Sequence, residues 1–171
     1  MKKKGILMTL VAAMAMAVAV GCGREEGEVR DNEVLFDEVP YSMYYVAKQY
    51  QQFIMVNAFS DEVSAAGTPM VTLANFRIYP AMEGRTFDLT QPTGTDSLSF
   101  GLEMHGLCNF QYYCQHSSAD GVLDGENSRV FSSGWLRVTH MAATRLVELD
   151  AILMNGHAVK MRLSLPDADI R

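Results

Sequence analysis

Beyond residue 32 the apolar positions come in short runs that alternate with polar ones. No long segment keeps a 3.6-residue period, so amphipathic helices are not expected. The runs are rich in β-branched and aromatic residues, and Gly, Pro, Asn and Asp separate them. Strands are predicted over 34–39, 43–50, 52–59, 71–78, 97–104, 110–115, 134–140, 145–153 and 157–165. The stretch 43–58 would also fit a helix by length, but its Tyr, Phe, Ile and Val favour strands. Closely spaced strands with turn signals between them predict a mainly β fold, an antiparallel β-sandwich or barrel-like single domain.

The last two strands can be registered from the pattern alone. Val147, Leu149, Ala151 and Leu153 share one face, and Val159, Met161, Leu163 and Leu165 share another. A two-residue Asn155-Gly156 loop would set apolar residues opposite charged ones. A three-residue loop, Met154-Asn155-Gly156, with Gly156 in the left-handed position, restores the match. Val147 then faces Leu163, Leu149 faces Met161 and Ala151 faces Val159. On the other face Glu148 meets Arg162 and Asp150 meets Lys160.

The amino-terminal pattern is different in kind. Lys2, Lys3 and Lys4 precede an uncharged apolar stretch at 6–20. Its 15 residues fall short of the ~20 that a spanning helix needs. They suit the apolar region of a secretory signal. Ala19-Val20-Gly21-Cys22 then resembles a bacterial lipobox. The resemblance implies a diacylglycerol thioether on Cys22, removal of residues 1–21 and acylation of the new amino terminus. Acyl chains contribute about 0.8 kcal/mol per buried CH₂, so such an anchor holds. Residue 23 is Gly rather than Asp, so the common inner-membrane retention signal is missing. Glu25, Glu26 and Glu28 resemble the export signal of surface lipoproteins in Bacteroidota-type bacteria; they also suit a solvated tether. The expected organisation is a signal peptide at 1–21, a lipidated acidic tether at 22–32 and a β-rich domain at 33–171. The expected location is the outer membrane, either surface-exposed or facing the periplasm.

Charge narrows the partners. The chain has 14 Lys and Arg against 20 Asp and Glu; without Lys2–Lys4 the count is 11 against 20, a net −9. That is a poor match for a phosphate backbone, so no nucleic-acid partner is expected.

Scattered pieces of 134–165, and the run Gly84-Arg85-Thr86-Phe87-Asp88-Leu89-Thr90, resemble small β-rich lipoproteins of Bacteroidota-type bacteria. The resemblance implies a β-sandwich-like domain in the cell envelope. It carries no activity and no functional residues.

One cluster could carry chemistry: His105, Cys108, Cys114 and His116. Four such ligands could hold tetrahedral zinc, although the spacing is not a standard one. In an oxidising compartment a Cys108–Cys114 disulfide is simpler, provided that the chain turns near Asn109. If the chain is instead extended there, both thiols fall on one strand face and stay free. The alternative function, a small periplasmic hydrolase or inhibitor-like protein, would use this cluster. Glu148 and Asp150 could pass for a glycosidase pair, but Arg162 and Lys160 match them. The acidic run 120–126 lacks the ligand order of an EF-hand. No phosphate-binding loop and no cofactor signature occurs. Tyr41, Tyr44, Tyr45, Tyr50, Phe53, Tyr112, Tyr113 and Trp135 could serve a core or a platform for a glycan or an envelope protein. The reading is a non-enzymatic domain, joined to the membrane through Cys22, that binds or assists another envelope component.

Overall fold

The computed structural model describes residues 27–90, 98–114 and 130–171, without the side chains of 110–114. The runs become ten strands: β1 (Glu33–Phe36), β2 (Val39–Gln49), β3 (Ile54–Ser60), β4 (Val71–Ile78), β5 (Arg85–Asp88), β6 (Leu98–Met104), β7 (Cys108–Cys114), β8 (Phe131–Met141), β9 (Thr144–Leu153) and β10 (Ala158–Pro166). They form one antiparallel sheet in the order β5-β8-β9-β10-β1-β2-β3-β4-β6-β7. The fold is thus mainly β, a sheet curled into a half-barrel.

The curl follows from chain length. β4 and β5 stand seven places apart in the strand order. On a flat sheet that is about 34 Å at the usual strand spacing. Residues 79–84 join them, and a connector that short reaches at most about 25 Å. It also spends residues on a single helical turn, Pro80–Met82. The sheet must therefore bend until its β5 edge approaches β4. The interior confirms this. The ring of Phe100 on β6 meets Phe76 on β4 edge-on at 6.1 Å and Phe131 on β8 at 6.2 Å. Strands β6 and β8 are far apart in the sheet, so these rings touch across the concave side. Phe76, Phe100, Leu73, Leu102, Leu136 and Leu149 are all at most 2% exposed. The hollow of the half-barrel is filled by side chains rather than open to a ligand.

β9 and β10 adopt the expected register. Val147 pairs with Leu163, Leu149 with Met161, Ala151 with Val159 and Glu148 with Arg162. Gly156 has φ +90°, and its N–H donates to Leu153 O at 2.9 Å. One expectation is corrected. Asp150 lies opposite Lys160, but they form no salt bridge. Lys160 Nζ donates instead to the Gly27 carbonyl at 3.5 Å.

Two further differences have local causes. The predicted run 34–39 is interrupted by a two-residue turn, Asp37-Glu38, with φ values of 48° and 66°. Two left-handed residues in succession make the tight hairpin turn that usually calls for Asn or Gly. Pro40, read as a breaker, lies inside β2. β5 was not predicted at all. It is a four-residue edge strand whose only buried residue is Phe87.

Candidate functional site

Two members of the sequence cluster, Cys108 and Cys114, are held apart. β7 runs unbroken from Cys108 to Cys114, paired with β6 from Met104↔Cys108 to Leu98↔Cys114. The two cysteines therefore sit at opposite ends of one strand, roughly 20 Å apart. The turn near Asn109 that a disulfide requires is absent, and Cys108 is a free thiol. His105 is exposed in the β6–β7 turn. His116, like Cys22, Glu25, Glu26 and the run 120–126, lies outside the described residues. Among the described residues no group of three or more His, Cys, Asp or Glu is placed to hold a metal, and no helix is long and apolar enough to cross a membrane.

Several other titratable groups are engaged with one another. Burial chiefly, and the Asp37 carboxylate to a lesser degree, pushes the Cys108 thiol above its ordinary value. That keeps it from the thiolate form a nucleophile needs. His157 Nδ1 lies 2.6 Å from Asp37 Oδ2, and its ring packs on Phe36 at 4.9 Å. The Ala158 N–H is the main cause that holds the Asp37 carboxyl low; slight burial opposes it and His157 adds to it. His140 lies between Glu83 and Asp167, at 3.2 Å from each. Arg145 Nε closes the ring on Glu83 at 2.8 Å, and its Nη1 reaches Asp167. These four side chains join the β4–β5 connector, β8, β9 and the segment after β10.

The aromatic residues divide into separate groups. Tyr41 and Tyr45 pack against the core. The Tyr45 hydroxyl donates to Asp169 Oδ2 at 3.0 Å. Burial first, then Asp169, pushes its pKa up to about 12. Tyr50 stacks on Phe53 at 5.0 Å, and Phe53 meets Tyr79 at 5.5 Å. Lys48 covers the Tyr50 ring and Arg77 covers Phe53, so cations take up these rings. On the outer face of β2 and β3, Tyr44 meets Phe59 at 5.5 Å.

Trp135 lies elsewhere in the sheet, although it too carries a cation: the Arg137 guanidinium carbon is 5.2 Å from its ring centroid. It lies on β8 opposite Asp88 of β5 and Asp150 of β9. A shallow cleft of about 420 Å³ opens beside it, lined also by Thr86, Asp88, Thr90, Ser132 and Ser133. Three local features build this cleft. First, β8 bulges between Phe131 and Ser133, so Ser132 and Ser133 are both exposed. Second, Gly134 lets β8 approach β9 closely. A Cβ there would lie 2.4 Å from Ala151 Cβ, and its φ is +141°. Third, Asp88 Oδ1 accepts hydrogen bonds from Thr90 N at 2.8 Å and Thr90 Oγ1 at 2.6 Å, which fixes the floor where β5 ends.

The donors of the cleft are less committed. Among the described residues, the indole Nε1–H of Trp135 and the hydroxyls of Thr86 and Ser133 have no hydrogen-bond partner. Of the lining residues, sequence reasoning named Trp135 as a candidate contact, while Thr86, Asp88 and Thr90 stood only in a run with a family resemblance and no assigned role. The others reach it through the β5–β8 pairing and the bulge, and neither leaves a motif. No protein-family model, curated protein or solved structure matches the chain.

Proposed function

We propose that this protein is a lipid-anchored, non-enzymatic binding or accessory domain of the bacterial outer membrane. Its anchor is a diacylglycerol thioether on Cys22, and the acidic tether that follows sets the domain off from the lipid surface. The signal-like run at 6–20 and the lipobox-like Ala19-Val20-Gly21-Cys22 support the anchor.

The observation that carries the binding role is the Trp135 cleft. It offers the Trp135 indole, braced on one side by Arg137, and uncommitted donors on a sheet face. A binding site needs an apolar surface with a few placed polar groups. A hydrolytic site needs a nucleophile and a base in reach of each other. Of the described histidines, His140 and His157 are tied to carboxylates and His105 is exposed in the β6–β7 turn, while burial chiefly pushes the Cys108 thiol above its ordinary value.

Protease treatment of intact cells, followed by mass analysis of the mature amino-terminal peptide, tests the reading. The expected peptide begins at an acylated Cys22. An unmodified cysteine, or a peptide that retains residues 1–21, would overturn it. Loss of the protein on shaving assigns the outer face of the membrane; survival assigns the periplasmic face.

A further inference from the structure

We infer that the outer face of β2, β3 and β4 rests on an anionic phospholipid surface. The inference goes beyond the binding role proposed above and uses other residues. Three cations form a row across this face. Lys48 of β2 stands opposite Met55 of β3, and Met55 stands opposite Arg77 of β4. Arg171 extends the row on the other side of β2. Its N–H donates to Ala47 O at 3.3 Å, and its carbonyl accepts from Gln49 N at 2.7 Å. Ile170 packs against the core, so the exposed Arg171 points outward as Lys48 does. At the usual strand spacing the row covers about 14 Å.

The protein supplies no counter-charge here. Among the described residues, Lys48, Arg77 and Arg171 form no salt bridge with a carboxylate. The chain has 20 Asp and Glu, yet β2, β3 and β4 contain none. Lys48 and Arg171 border an open hollow of about 470 Å³. Asp169, which also lines it, is taken up by the Tyr45 hydroxyl at 3.0 Å.

The apolar residues of the face point to lipid rather than to a dissolved anion. Tyr44 and Val46 are 51% and 61% exposed, and Tyr44 meets Phe59 at 5.5 Å. Lys48 lies over Tyr50 and Arg77 over Phe53, which sets the charged heads at the level of the rings. Tyrosines and cations at one level match the headgroup layer of a bilayer. Cations spread along an open face match an array of phosphates better than one compact anion.

The net charge of the chain opposes such a surface only at a distance, since screening limits its reach to about 8 Å at physiological salt. Acids lie on other elements. Glu148 and Asp150 belong to β9. Asp37, Glu38, Asp61 and Glu62 lie in turns at the opposite ends of β2 and β3 from Lys48 and Met55. Each Lys or Arg near an anionic surface tightens binding about fivefold, so the three together orient the domain.

The described residues contain two lysines, Lys48 on this face and Lys160 on β10, and their relative acetylation reads the orientation. The full chain, as purified from cells, is diluted from detergent onto preformed vesicles of phosphatidylcholine, alone or with an equal part of phosphatidylglycerol. Floated vesicles are treated with a membrane-impermeant acetylating reagent and the chain is peptide-mapped. Lys48 should react about tenfold more slowly, relative to Lys160, on the anionic vesicles than on the neutral ones. About 0.5 M salt should abolish the difference. Arg77→Gln combined with Arg171→Gln should remove most of it, and Arg30→Gln, an exposed cation before β1, should leave it unchanged. Far-UV circular dichroism and thermal melting confirm that each variant is folded.

A chain that floats with neither vesicle overturns the inference. So does the same Lys48 to Lys160 ratio on both vesicles, or protection that survives in the folded double variant. Equal protection by inorganic phosphate or by dissolved polygalacturonate, without vesicles, assigns the face to a free anion and overturns it too. Mass analysis of the amino-terminal peptide on the same preparations judges the anchor separately. Either reading can therefore fail while the other stands.

Discussion

The guanidinium of Arg137 packs on the Trp135 ring while it donates two hydrogen bonds to a single oxygen of Glu148. One cation thus links the aromatic surface of β8 to a charge ladder. The ladder continues from Glu148 to Arg162 and ends at Asp31, 2.6 Å from Arg162 Nε. The polar face of the β8–β10 region and the segment that precedes β1 share one network. Arg137→Gln should change the near-UV circular dichroism and emission of Trp135, because the ring loses its cover. Stability should fall by less than ~1 kcal/mol, since the Arg137 side chain is 46% exposed and exposed pairs are screened. A loss of several kcal/mol on urea denaturation would show the ladder to be structural.

Gly134 is the point where β8 comes closest to β9. Gly134→Ala should destabilise the domain by roughly 2–5 kcal/mol, from overpacking against Ala151 together with a disfavoured backbone angle. Ser133→Ala, one residue away and exposed, should change stability by less than ~0.5 kcal/mol. Urea denaturation of the pair checks this; equal losses would remove the steric argument.

Asp37 gives the domain an acid-sensitive element. Its carboxyl is held below the ordinary value, mainly by the Ala158 N–H and further by His157. A group with a depressed folded value stabilises the fold above its unfolded pKa and stops doing so as the pH falls through the folded one. Asp37→Asn should therefore lower the melting temperature at neutral pH and converge with the parent in acid. The carboxylate is 45% exposed, so the difference should stay below ~1 kcal/mol. A constant difference from pH 7 to pH 2 would contradict this account.

Tyr45 should act at the opposite end of the scale. Its pKa is raised to about 12, so its neutral form stabilises the fold up to its ordinary value near 10. That contribution disappears as the pH climbs through about 12. Tyr45→Phe keeps the ring but loses the bond to Asp169, and it removes a step from the alkaline limb of the stability curve. Ultraviolet titration of the parent should show a late phenol that is missing from Tyr45→Phe; its persistence in the variant would refute the assignment.

Cys108 should react slowly with iodoacetamide at pH 7.5, and equally with or without prior reduction. It is a free thiol, kept from ionising chiefly by burial, and the thiolate is the reactive form. Peptide mapping follows the reaction. Labelling of Cys108 that appears only after reductant would require a disulfide and a broken β7.

The β9–β10 hairpin was legible because two strands of opposite charge pattern meet over a glycine turn, and only one register matches both faces. The β1–β2 turn was not, because Asp37 and Glu38 hold left-handed angles without a glycine to announce them. β5 was invisible for a different reason. It has one inward residue, Phe87, and its partner β8 begins more than forty residues later. That long-range pairing also builds the cleft. Trp135 could be noticed as an aromatic residue, but Asp88 and Thr86 become its neighbours only once β5 docks on β8. The spacing of Cys108 and Cys114 fitted either a short loop or one strand, and pairing with β6 selects the strand.

The route of the chain also dictates a folding order. β1 is flanked by β2 on one side and by β10, the final strand, on the other, and β5 must wait for β8. Contacts so distant in the chain slow folding. Strands β8 to β10 carry the β5 edge of the sheet, so the half-barrel is complete only once the carboxy-terminal strands are in place.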